Sequence, residues 1–145
     1  MTPARRAHDA VEKLVEWADR SVGMPFEWGI TDCGALFLQA LALLDVDGAR
    51  HFERITWSTA WGAFKALELD TPEAWIIAAG ARELAVADVA SGDLVTGWIA
   101  PGMLPDVPAG IALPSCYVAI GSRILSSSVQ TGVALIPRRD LIAAH

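Results

Sequence analysis

The chain has 145 residues, enough for one hydrophobic core and too few for two independent ones. Hydrophobic residues make up 53% and charged residues 19%, an apolar balance for a solitary soluble domain. A net charge of −6 argues against a nucleic-acid binder, because neutralising phosphates takes clustered Lys and Arg. The two basic pairs, Arg5-Arg6 and Arg138-Arg139, read as solvated helix ends.

Val11, Leu14, Val15 and Ala18 fall at helical spacing and predict an amphipathic helix over about residues 6–21, stopped by Gly23 and Pro25. A second helix is expected from Asp32 to about Leu44. Its apolar residues Leu36, Phe37, Ala40, Leu41 and Leu44 cover most of the circumference, so it should be the central buried helix. Asp45-Val46-Asp47-Gly48 ends it with turn chemistry. A third helix is predicted from Ser58, as cap, to Leu67, with Trp61, Phe64 and Leu67 on one face. A fourth is marked by Thr71 as cap, Pro72 at the first helical position and Gly80 past the end.

After Ala85 the pattern changes to short apolar runs, Asp93 to Ile99, Ser115 to Ile120, Arg123 to Ser127 and Val133 to Ile136, which are strand signals. Gly121-Ser122 reads as a hairpin turn, and Thr131-Gly132 as another. Pro101 to Pro114 is rich in proline and glycine and reads as a loop, while Asp140 to Ala144 is expected to close the chain with one helical turn. Helices first and an antiparallel sheet later define the α+β class, a single domain over 1–145 that is helical over 6–80 and β-rich over 85–137.

Titratable side chains fill residues 7–20, so no secretory signal peptide is expected. The uncharged runs 94–105 and 107–122 are too short or too rich in proline and glycine for a membrane span. Cys33 and Cys116 make no disulfide framework, and with His8, His51 and His145 they show no metal-ligand spacing. No metal or cofactor is therefore expected, and reduced thiols in a cytosolic setting are the default. The six tryptophans divide between core residues and interface anchors, and together they favour a subunit of a larger assembly.

The most informative residue is Cys33. It follows the run Pro25-Phe26-Glu27-Trp28-Gly29-Ile30-Thr31-Asp32 and opens the apolar stretch that ends at Leu44. A thiol at a helix N-terminus meets unpaired backbone N–H groups and the positive end of the macrodipole, which favour the thiolate. Asp32 acts against this if its carboxylate is close and reads as the helix cap. The plain alternative is a small buried hydrophobe, as free cysteines often are. Trp28 is expected to pack beneath the loop, and Gly29 to allow a close backbone approach.

The block P-F-x-W-G-x-x-D-C-G, then Ser91-Gly92-Asp93-Leu94-Val95 leading a strand, then a hairpin ending in Tyr117-Val118-Ala119-Ile120-Gly121, resembles the NlpC-type cell-wall endopeptidases, a compact branch of the papain-like cysteine peptidases. Within that branch it is similar to the small, divergent members encoded in tail gene clusters of siphophages and gene transfer agents. The resemblance implies helices packed on a small antiparallel sheet, with Cys33 at the nucleophile position. It also implies a histidine base on the second core strand and an orienting group on the next. Here the position of the family histidine is Ser115, or Cys116 with a one-residue slip, and the third position falls around Ser126 to Ser128. Neither serine nor cysteine replaces imidazole as a base near neutral pH.

His51, in the connection after the central helix, is the least remote substitute base; His8 and His145 are the others. The resemblance thus implies a peptidase-like fold without hydrolytic activity, a structural tail-tip or baseplate subunit of a phage-like particle. Its partners would be other tail and baseplate proteins, and it would sit in the virion tail after assembly in the host cytoplasm. The alternative is an active peptidase or amidase that cuts host peptidoglycan during genome entry, with His51 or a partner's group as base. In the family fold Cys33 and Cys116 should also lie close, so a bridge between them is conceivable, although two free thiols are expected in a cytosolic protein.

Overall fold

The computed structural model describes residues 9–81, 92–99, 113–128 and 131–137, with backbone alone at 68–69, 97–99 and 113–115. Among these residues four helices, α1 (Ala10–Ser21), α2 (Cys33–Leu44), α3 (Ala60–Leu69) and α4 (Pro72–Ala78), precede four strands, β1 (Leu94–Ile99), β2 (Leu113–Ile120), β3 (Arg123–Ser128) and β4 (Gly132–Pro137). A 3-10 helix, Gly48–Arg54, lies between α2 and α3. The strands form one antiparallel sheet in chain order. The α+β architecture expected from the sequence is therefore present. The basic pairs, the final helical turn and most of the loop from Pro101 lie outside the described residues.

Helix α2 is the axis of the fold. Gly34, Ala35, Leu36, Phe37, Leu38, Ala40, Leu41 and Leu44 are all buried, so almost every face meets protein. One side packs with Leu14, Trp17 and Ala18 of α1 and with Val118, Leu125 and Val133 of the sheet. The other packs with Trp57, Ala63, Leu67, Trp75 and Cys116. Phe37 is fully buried, and burial of such a ring is worth about 2–3 kcal/mol. Trp57 and Trp75 stack with ring centroids 6.4 Å apart.

Period-two alternation gives Leu94, Cys116, Val118, Ile120, Leu125 and Leu135 to the face that meets the helices, and Val95, Tyr117, Ile124 and Ile136 to the other. The Gly92 N–H donates to the Ala119 carbonyl and the Ala119 N–H to the Asp93 carbonyl, both at 2.9 Å. The block from Gly92 to Val95 thus leads directly into β1. On the far side, the Gly23 N–H donates to Val133 O and the Val133 N–H to Met24 O, again at 2.9 Å, so the chain between α1 and α2 pairs along β4.

Four expectations need correction. The buried face of α1 is Ala10, Leu14, Trp17, Ala18 and Ser21, whereas Val11 and Val15 are exposed. The helix rotates to bury Trp17, whose indole N–H donates to Gln39 Oε1 of α2 at 3.1 Å. Thr59, not Ser58, caps α3 by accepting from the Gly62 N–H, and the face it buries is Ala60, Ala63 and Leu67. Trp61 instead points outward at 52% exposure, against Phe64 and under the Lys65 ammonium. Finally, β2 begins earlier than expected, since Leu113 and Pro114 pair with Ile99 and Trp98.

Candidate functional site

The segment before α2 is held by its own side chains. Thr31 is buried; its hydroxyl donates to Pro25 O at 2.6 Å and accepts from the Glu27 N–H at 2.7 Å. Asp32 is 3% exposed and is fully engaged. Its Oδ1 accepts from the Ala35 N–H at 3.0 Å, the cap of α2, and its Oδ2 accepts from the Gly29 N–H at 2.5 Å and the Trp57 indole N–H at 2.9 Å. Gly29 adopts φ +81, and a Cβ there would collide with the Trp57 carbonyl, so only glycine fits. The close approach expected of Gly29 is thus made to Trp57. Trp28 packs edge-on against Phe26 with ring centroids 4.8 Å apart and against the cluster around Trp57.

Cys33 therefore starts α2 at a fixed point, half-buried and reduced. The group opposite it is Cys116, which is buried in β2 and also a free thiol. Cys33 packs against the cluster that contains Cys116, and the Cys116 thiol and backbone and the Gly34 backbone are the groups that favour its thiolate. The Cys116 hydrogen bond leads in holding the Cys33 thiol below its ordinary pKa, against burial and the nearby Asp32 charge. Cys116 moves the other way. Burial, then the adjacent Cys33 and Asp32, push its thiol well above the ordinary value. The two thiols are thus shifted in opposite directions, Cys33 towards the more acidic side and Cys116 towards the less acidic.

Of the two alternatives on β2, Cys116 is the residue that reaches Cys33; Ser115 is paired through its backbone register with Gly97 of β1. On β3, the Ser127 hydroxyl donates to the Thr31 carbonyl, which pins the strand to the loop before Cys33. Ser128 instead bonds the Thr131 side chain and backbone.

His51 lies elsewhere. It is buried in the 3-10 helix, with Nε2 2.8 Å from Asp45 Oδ2 and Nδ1 without a partner. Asp45 is the C-cap of α2. Twelve residues of helix rise, about 18 Å, separate it from Cys33. His51 is therefore not the base of Cys33 within one chain, which corrects the sequence expectation. The cause is local: Gly48 packs so tightly against the Ala42 carbonyl that a Cβ would collide with it, and this folds the segment back onto the end of α2. His8 and His145 lie outside the described residues. Among the described residues no three His, Cys, Asp or Glu side chains gather as a metal site.

Sequence reasoning missed Trp57 as a donor to Asp32, since nothing local links residues 25 apart. Cys116 carried a readable signal: it shares strand parity with Val118 and Ile120, the apolar residues that face the helices.

Fold and site together define an α+β domain in which a buried helix presents a thiol to a second thiol on the adjoining sheet. The chain belongs to a family described as a domain of unknown function, DUF6950, whose model matches residues 5–145. No curated protein matches it, and no solved structure does.

Proposed function

We propose that the chain is a non-hydrolytic relative of the NlpC-type papain-like fold that serves as a structural subunit of a phage-type tail tip or baseplate. The observation that carries this reading is the group opposite Cys33. A cysteine peptidase needs a base that takes the thiol proton and returns it to the leaving amine. Cys116 is a poor partner for both steps, because its thiol holds its own proton more firmly than an ordinary cysteine. His51 is committed to Asp45 at the far end of α2.

The motif resemblance supplies the particle context. The outward-facing Phe52 and Trp61, each more than half exposed, accord with a chain that meets partners. The test is two-fold: purified protein is incubated with peptidoglycan, and particles carrying Cys33→Ala are assembled. Expected are no soluble stem-peptide fragments, with normal assembly and infection. Fragment release that Cys33→Ala abolishes would overturn the reading and restore the peptidase or amidase alternative.

A further inference from the structure

We propose that Cys33 and Cys116 form a thiol–disulfide exchange pair, with Cys33 as the attacking thiol and Cys116 as the resolving thiol, and with a low-molecular-weight disulfide as the co-substrate. The proposal stands on four features of the site and does not depend on a role in a particle.

Cys33 packs against the cluster that contains Cys116, yet both remain free thiols. Cys33 opens α2, where the helix end favours an anion, and its thiol lies on the acidic side of the ordinary value, which favours the thiolate that attacks disulfides. Exposure also orders the two roles. Cys33 is half-buried, so a small reagent meets it first, whereas Cys116 is 2% exposed. Both sit on rigid supports, one fixed by the Asp32 cap of α2 and the other by the β1–β2 ladder opposite Thr96.

The leaving group decides why this chemistry suits a site with no base. An amine departs from a tetrahedral intermediate only when protonated, whereas a thiolate departs unaided. In the first step the Cys33 thiolate attacks one sulfur of the reagent RSSR; the Cys33–S bond forms, the reagent's S–S bond breaks, and RS⁻ leaves. In the second step Cys33, now in the mixed disulfide, no longer carries the charge that helped hold the Cys116 proton. That proton passes to the RS⁻ released in the first step; Cys116 attacks Cys33 Sγ, the Cys33–Cys116 bond forms and the second RS⁻ leaves. The two protons given up by the cysteines end on the two released RSH molecules. The dithiol is oxidised by two electrons and the reagent is reduced by two.

The decisive measurement uses the full chain equilibrated with glutathione buffers of increasing oxidised fraction, quenched in acid and weighed intact without reductant. The expected product is a chain lighter by two hydrogens and free of adduct. Cys33→Ser should remain unmodified, and Cys116→Ser should stall as a single glutathione adduct. The proposal is overturned if folded wild-type chain, checked by tryptophan fluorescence, keeps both thiols across the series or stops at the adduct. Bridging seen only after unfolding in urea overturns it as well. The wild-type chain alone decides the matter, so a variant that misfolds does not blur the result.

Discussion

The two ends of α2 solve the same problem in opposite ways. Each ends on a buried or nearly buried aspartate, Asp32 before the first turn and Asp45 after the last. At the N-terminus a carboxylate agrees with the helix dipole, and neutral donors from Gly29, Ala35 and Trp57 suffice to hold it. At the C-terminus a carboxylate opposes the dipole. Asp45 therefore takes the Asp47 N–H together with two side chains that carry or can take up positive charge, Arg50 and His51, each 2.8 Å from Oδ2. The contrast teaches where the histidine went. The thiol lies at the end where anions are favoured and the imidazole at the end where cations are favoured, with the length of the helix between them.

The largest effect should come from destroying the N-terminal end. Asp32→Ala removes the cap and strands two further donors, one of them the buried Trp57 indole. It should cost about 3–5 kcal/mol in chemical denaturation. At the other end, Asp45→Asn should cost about 1–3 kcal/mol at pH 7. Burial raises the Asp45 carboxyl, but the Asp47 N–H, His51 and Arg50 outweigh it and leave it below the ordinary value. The native state thus binds fewer protons there than the unfolded chain, so the stabilisation is complete above about pH 4 and is lost as pH falls through the lower native value. Denaturation curves of wild type and Asp45→Asn should accordingly converge in acid; a gap that persists there would remove the ionic account of this end. Because the two sites are about 18 Å apart with no shared partner, the double variant should be additive within about 0.5 kcal/mol.

The subtlest test follows the pH at which Cys33 reacts with iodoacetamide. Its midpoint should lie below that of an ordinary thiol and move upward in Cys116→Ala, which loses the strongest of the interactions that lower it. His51→Ala should leave the midpoint in place. A clear shift in that variant would mean that the two ends communicate, and the comparison would fail.

What was legible in the sequence was what local chemistry encodes. The aspartate before an apolar run marked α2, Thr71-Pro72 and Gly80 bracketed α4, and Gly121-Ser122 turned the β2–β3 hairpin, where Ile120 pairs with Arg123. What was not legible depended on packing between distant segments. The 3-10 helix exists because Gly48 fits against Ala42 and because His51 and Arg50 meet Asp45. Val11 and Val15 had the helical spacing of a buried face, but Trp17 offered more apolar surface and a hydrogen bond to Gln39, and it set the rotation of α1. At the candidate site, the opening motif located Cys33, while its actual partner depended on strand parity across the sheet.

The pairing of Met24 with Val133 has a consequence for how the molecule behaves among its own copies. An open outer strand is a template on which other chains can add. Here the chain entering the Cys33 loop occupies part of that row on β4. Gly132, at φ +67, lets the two backbones come that close, since a Cβ there would strike the Met24 carbonyl. The same few backbone bonds that steady the approach to the thiol also close one border of the sheet, so loosening that seam would expose a sticky edge and unmoor the loop at once.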